Sequence, residues 1–145
     1  MRRLVPALIS LAAVLATVFV LAPPAEAAAY PRSTFRVNYG NTYTTGTVTF
    51  YNRAVVVEGE QKAVSSSGCR KTTGITVAGH EQLGQNEWAW TCSGSQKFSF
   101  TVPANRAGGA DRVWVTLLYT KSVDSGTQEP VGAAICMRGT PTCTT

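Results

Sequence analysis

Short runs in which apolar and polar side chains alternate recur along this chain, and turn residues separate them. The run KFSFTVP, residues 97–103, places Phe98, Phe100 and Val102 on one face. Alternation with a period of two is typical of a β-strand with one buried face. About seven such runs, with turns roughly every eight to twelve residues, predict an all-β fold: an antiparallel, immunoglobulin-like β-sandwich over residues 28–145. A small closed β-barrel is the alternative.

The first 27 residues have a different character. Arg2 and Arg3 precede an apolar run from Leu4 to about Ala22, and two prolines with small residues follow. A basic start, an apolar centre and a small-residue end are typical of a secretory signal peptide. We therefore expect residues 1–27 to be removed, with cleavage after Ala27 or after Ala29. The remaining domain is then secreted, extracellular and free of the membrane.

Four cysteines follow the leader, at positions 69, 92, 136 and 143. An even number of cysteines in an exported chain favours disulfides over metal ligands. Of the three possible pairings, a Cys69–Cys92 bridge centres an unbulged hairpin on His80 and Glu81, inside the polar loop GHEQLGQ. Cys136 and Cys143 then pair across the short turn in CMRGTPTC.

The same register assigns faces to the two tryptophans of NEWAWTC, residues 86–92. Residues two apart in a strand share a face, so Trp88 and Trp90 fall on the face that carries Ile75 and Val77. We expect that face to be the core, because a large aromatic side chain buries roughly 150–250 Å². A ligand platform is the alternative, since a single bulge would reverse the faces.

Charge does not point to a nucleic-acid partner. The formal net charge of +5 falls to +4 once Arg2, Arg3 and Glu26 leave with the leader, and only 14% of the residues are charged. Typical domains carry roughly 25%, and a nucleic-acid binder has a dense basic stripe. The sequence indicates a neutral surface rich in hydroxyl groups and excludes that class of partner.

His80 is the natural starting point for a catalytic interpretation, because it lies beside Glu81 and near Glu87, and such a pair can transfer protons. However, no G-x-S-x-G motif is present and the cysteines are used in bridges. His80 is also the single histidine, which leaves an odd ligand set for zinc. We expect no catalytic residues, no metal and no cofactor; a small hydrolase that uses His80 with a nearby glutamate is the alternative.

Binding has three aromatic candidates. Tyr39 and Tyr43 lie in NYGNTYTTG, where Gly, Asn and Thr favour an accessible loop. Trp114 alternates with Val113 and Val115, so it is exposed if those two residues are in the core. The sequence therefore predicts a secreted, monomeric, non-catalytic binding protein whose partner is an extracellular protein or a polysaccharide.

Several segments resemble a group of small exported β proteins of streptomycete-type actinobacteria. The matching segments cover most of the domain and are GTVTFYNRAVVVEGEQKA, GCRKT, TCSGSQKFSFTVP and GGADRVWVTL, together with Cys136. These proteins are largely uncharacterised, so the resemblance implies a β fold and export and assigns no active site.

Two successive disulfides are also similar to the layout of small secreted α-amylase inhibitors of the tendamistat type. That resemblance raises inhibition of a secreted hydrolase as an alternative function. The inhibitors depend on a Trp-Arg-Tyr triplet, whereas the nearest counterpart here is Trp88-Ala89-Trp90, which lacks the arginine.

Overall fold

The computed structural model describes residues 29–145. The expected signal peptide and its first cleavage site, after Ala27, lie outside these residues. The described chain forms eight strands: β1 (Arg32–Tyr39), β2 (Thr42–Phe50), β3 (Ala54–Ala63), β4 (Cys69–Ala78), β5 (Glu81–Glu87), β6 (Gly94–Pro103), β7 (Arg112–Thr120) and β8 (Glu129–Met137). Two 3₁₀ turns, Ser65–Ser67 and Val123–Ser125, lie in the connections.

The strands form two antiparallel sheets of four strands each. The first sheet has the order β1-β2-β3-β6 and the second has the order β5-β4-β7-β8. The antiparallel sandwich predicted from the sequence is confirmed, with eight strands in place of about seven. The alternative of a closed barrel does not occur within residues 29–145.

Alternation along the strands explains where the core lies. Phe98, Phe100 and Val102 of β6 are buried, as their run predicts, and they pack between the sheets with Val113 and Val115 of β7. Burying a side chain of this size contributes roughly 1.5–3 kcal/mol. One apolar face on each sheet therefore makes the two sheets stable only when they are stacked.

The last residues of the chain join the edges of the two sheets. Beyond β8, the backbone of Thr34 in β1 bonds Pro141 and Cys143, and the backbone of Ile135 in β8 bonds Thr144. The Cys136–Cys143 disulfide, predicted from the sequence, fixes this segment. Residues 141–144 therefore cover two strand edges that would otherwise expose unpaired backbone groups.

The hairpin of β4 and β5 departs from the simple register. The predicted Cys69–Cys92 disulfide is present, but the turn is Gly79-His80, one residue earlier than predicted. Gly79 has a φ of +60°, which suits the first position of a two-residue hairpin turn. The earlier turn alone would move each pairing partner by two residues and keep the faces. A bulge at Leu83, between the pairs Val77–Gln82 and Thr76–Gly84, takes one residue back, so Ile75 pairs with Gln85, one residue from its predicted partner. This net shift of one residue moves the side chains of β5 to the opposite face.

A bulge at Ala89 and Trp90 brings the register back to the disulfide. The backbone N–H of Trp88 donates to the carbonyl of Thr72, and Arg70 pairs with Thr91. Two residues of one strand thus oppose the single residue Lys71, which is the arrangement of a β-bulge. Trp88 and Trp90 therefore do not share a face.

The side-chain amide of Gln61, on β3 of the first sheet, holds this bulge. Gln61 is fully buried. Its Nε2 donates to the carbonyl of Ala89 at 2.9 Å and to the hydroxyl of Thr91 at 2.7 Å. Its Oε1 accepts from the backbone N–H of Thr72 at 2.9 Å and from the Thr72 hydroxyl at 2.8 Å. One amide therefore replaces the backbone bonds that the bulge interrupts and ties the two sheets together.

The predicted faces of β4 are consequently wrong. A Cβ added at Gly74 would meet Val102 and Phe100 of the first sheet, so Gly74 faces the core. Ile75, on the other side of the strand, is half-buried and faces outward, whereas Val77 on that side is covered and 8% exposed. Trp90 was expected in the core and instead lies outside, whereas Trp88 is half-buried and packs against the core as expected.

We expect Gln61→Leu to lower the free energy of unfolding by about 2–5 kcal/mol. The substitution keeps the volume but leaves the Thr72 N–H without its acceptor, and each buried polar group left unpaired costs about 1–3 kcal/mol. Urea denaturation measures the loss. The matched control Gln82→Leu, at an exposed position of β5, should change stability by less than about 0.5 kcal/mol; equal effects would contradict the role of Gln61.

Candidate binding surface

The outer side of the second sheet carries a row of apolar side chains that spans three strands. Trp114 of β7 lies between Ile75 of β4 and Ile135 of β8 in the strand register. Met137 lies on the same side, two residues beyond Ile135. Trp114 is 43% exposed, Ile135 39% and Met137 42%. We call these four residues the outer Trp114 face.

A groove adjoins the outer Trp114 face along β4, β5 and β7. Its volume is about 560 Å³, and Thr73, Ile75, Gln85, Thr116, Leu118 and Gln128 contribute to its lining. Hydroxyl, amide and apolar groups therefore line the same concave surface. A rigid sheet positions them, which lowers the entropy that binding would otherwise cost.

Charged groups close one end of this surface. The ammonium group of Lys71 lies 4.5 Å from the centre of the Trp90 ring and 2.7 Å from Oε1 of Glu87. Lys71 itself is buried. The outward turn of Trp90 thus provides a cover for a buried cation, an arrangement that cation–π attraction favours.

The predicted ligand-binding residues are not brought together. Tyr43 lies on the outer side of the first sheet, where its hydroxyl donates to Oε1 of Glu60 at 2.5 Å. Tyr39 lies at the end of β1 and its ring faces the guanidinium of Arg70 at 5.5 Å. Trp114 is exposed on the opposite sheet, as the alternation along β7 indicates. Three separate surfaces carry them, and the binding role of each stays a prediction.

Both carboxylates of the hydrolase alternative pair with cations other than His80. His80 is exposed at the tip of the hairpin turn, and Glu81 pairs with Arg106 at 3.9 Å. Glu87 pairs with Lys71 and lies seven residues along β5, about 20 Å from the turn at the rise of an extended strand. No catalytic pair of His80 with either glutamate is formed.

Residues 29–145 contain no cluster of three His, Cys, Asp or Glu side chains that would hold a metal ion. No helix in this part of the chain is long and apolar enough to cross a membrane. The two disulfides fit an extracellular protein.

Sequence reasoning missed two contributors to the outer Trp114 face. Ile135 and Met137 alternate with the buried Ala134 and Cys136 in AAICM, so their outward direction could have been read from that alternation. Their position beside Trp114 could not, because it depends on β8 pairing with β7 and not with another strand.

Comparison with families of known proteins, with curated proteins and with solved structures finds no match to this chain.

We expect Trp114→Thr to leave the free energy of unfolding within about 1 kcal/mol of the native value, because Trp114 is on the surface and threonine favours strands. Its neighbour Val115 is fully buried, so Val115→Thr should cost about 1–3 kcal/mol for the buried hydroxyl. Urea denaturation of both variants gives the comparison. A larger loss for Trp114→Thr than for Val115→Thr would show that Trp114 is needed for folding.

Proposed function

We propose that this chain is a secreted, non-catalytic binding protein that docks an extracellular protein partner on the outer Trp114 face. The row of Ile75, Trp114 and Ile135 supports the proposal most strongly, because Trp114 and Ile135 are exposed and the half-buried Ile75 lies beside them. A stable monomer gains nothing from such side chains in contact with water, and contiguous exposed apolar patches are typical of interaction sites.

The composition of the face favours a protein partner over a sugar. Trp and Met are enriched at the centres of protein interfaces, and charged residues are depleted there. Here Ile75 and Ile135 flank Trp114 across the strands, and Met137 lies two residues beyond Ile135. Along β7 itself, Arg112 and Thr116 lie on either side of Trp114 on the same face, so the apolar row runs across the strands and has polar neighbours. Sugar recognition instead requires hydrogen-bonding groups close beside an aromatic ring. The polar groups of the groove lie to one side and match the polar rim of an interface.

Export is part of the proposal. The apolar leader at residues 1–27 and the resemblance to small exported β proteins of streptomycete-type actinobacteria support it, and the two disulfides agree with it. Amylase inhibition through Trp88-Ala89-Trp90 receives no such support. The bulge sends Trp88 inward and Trp90 outward over the buried Lys71, so these residues do not present one contact surface.

The test uses residues 28–145 immobilised on a resin and exposed to the culture supernatant of the producing organism. Trp114→Lys and Ile135→Lys each place a charge in the centre of the apolar row, where an unpaired charge is costly to bury. Ser99→Lys, an exposed position on the outer side of the first sheet, is the matched control. We expect the native chain and the control to retain the same protein, and each variant of the row to retain at least tenfold less.

Two outcomes would contradict the proposal. One is equal retention by Trp114→Lys and the native chain. The other is the absence of any retained protein together with retention of the native chain on insoluble cell-wall polysaccharide; if Trp114→Lys abolished that retention, the partner of the face would be a glycan.

A further inference from the structure

Arg70 is a buried cation without a carboxylate partner. It is 2% exposed and is the largest of the fully buried side chains among the described residues. The ion pairs of residues 29–145 are Arg32–Glu58, Lys71–Glu87, Arg106–Glu81 and Arg112–Asp111. A buried guanidinium outside every ion pair is rare, because removing a charge from water costs several kcal/mol unless a partner offsets it.

The protein satisfies only part of this guanidinium. Nε donates to the hydroxyl of Thr42 at 3.0 Å, and Nη1 donates to the carbonyls of Ser67 at 3.0 Å and Cys69 at 3.1 Å. Those contacts account for three of the five N–H donors. The two donors on Nη2 have no partner among the described residues. The unpartnered polar atoms that are sealed from solvent among these residues are Trp88 Nε1 and Arg112 Nε. Nη2 is not one of them, and Arg70 contributes to the lining of a groove.

Two tyrosine rings face the guanidinium. The centre of the Tyr119 ring lies 4.8 Å from the Arg70 Cζ atom, and that of Tyr39 lies 5.5 Å away. Burial lowers the pKa of Arg70, and the two tyrosines oppose that effect. A Cβ at Gly68 would approach the Tyr119 ring to 2.6 Å, so glycine there lets the loop lie against the ring. The site is therefore held in place and does not arise from a mobile surface side chain.

A small groove leads to this site. It measures about 200 Å³ and lies between the β1–β2 turn and the 3₁₀ turn Ser65–Ser67. Tyr39, Asn41, Thr42, Ser66, Ser67 and Arg70 contribute to its lining, and no acidic residue is among the groups that line it. Tyr39 is 49% exposed and forms the accessible rim. The groove thus combines one positive charge, one aromatic face and several neutral hydrogen-bonding groups.

We propose that this groove binds the carboxylate of a sugar acid. A guanidinium donates strong, charge-assisted hydrogen bonds to a carboxylate, and the two free donors of Nη2 suit one monovalent anionic group. The exposed Tyr39 ring would pack on the apolar side of the sugar ring, while Asn41 and Ser66 would bond its hydroxyls. The site lies at the end of the sandwich and is separate from the outer Trp114 face, so it does not depend on the function proposed for that face.

The test is a titration of the ¹⁵N-labelled protein, residues 28–145, with sodium D-glucuronate, followed by NMR. D-glucose is the matched neutral sugar, acetate is the carboxylate without a sugar, and tetraglutamate is an acidic peptide. We expect glucuronate to shift the Arg70 Nε–H signal and the amide signals of residues 39–42 and 64–70. Its affinity should be at least tenfold higher than that of glucose and of acetate, and added salt should weaken it.

Variants separate recognition from folding. Tyr39→Ala removes the rim of the groove at an exposed position and should weaken glucuronate binding at least fivefold. Arg70→Lys keeps the charge but loses the planar donor fork, and should abolish the preference for glucuronate. Arg36→Lys, an arginine that lies over Tyr43 on the outer side of the first sheet, is the matched control and should bind as the native protein does.

Several results would overturn the proposal. Equal responses to glucuronate and glucose would show that the carboxylate is not recognised, and no response to any carboxylate would remove the site. Tighter binding of tetraglutamate than of glucuronate would make the ligand an acidic peptide. If Arg70→Lys does not fold, two measurements still test the proposal. They are the affinities of the native protein for glucuronate and for glucose, and the affinity of Tyr39→Ala for glucuronate.

Discussion

The buried amide of Gln61 is the interaction on which the arrangement of the sandwich depends. It belongs to one sheet, yet all five of its hydrogen bonds reach the chain of the other sheet or its extension towards Cys92. A β-bulge in a protein interior leaves backbone groups without partners, and such groups are costly unless another polar group replaces the lost bonds. Gln61 supplies that replacement. The bulge can then exist behind the Cys69–Cys92 bridge, and it determines which side of β4 meets the core.

The sandwich therefore has an apolar core in its middle, a polar interior at one end and one apolar outer side. Near the middle, Phe98, Phe100 and the valines pack as a dry core. Towards the Cys69–Cys92 end, the interior is polar, with Gln61, Thr72 and Arg70 in one region. Since Gly74 and Thr72 face inward, Ile75 faces outward and joins Trp114 and Ile135. The register of β4 thus places Ile75 of the proposed protein-binding face on one side of the strand and Arg70 of the proposed carboxylate groove on the other side.

Sequence reasoning reached the fold class and both disulfides because these depend on local alternation and on the number and spacing of cysteines. It predicted an exposed Trp114 only on the condition that Val113 and Val115 are in the core, and those two valines are fully buried. It assigned Ile75 and Trp90 to the core wrongly, because the amide that holds the bulge lies 28 residues before Ala89 and nothing in NEWAWTC indicates it. Arg70 was not identified as a buried group, because a charged residue beside a cysteine in a polar strand is ordinarily exposed. Contacts between distant strands decided both positions.

The three tryptophans provide the most direct test of this account, since the register places each in a different environment. The measurement is NMR line broadening of the indole ring protons by a soluble paramagnetic agent. We predict strong broadening for Trp114, weaker broadening for Trp90, one face of which is covered by the Lys71 ammonium group, and the least for Trp88, whose ring centre lies 6.5 Å from that of Phe98. Strong broadening of Trp88 with protection of Trp114 would contradict it, because the outer side of the second sheet would then be the core.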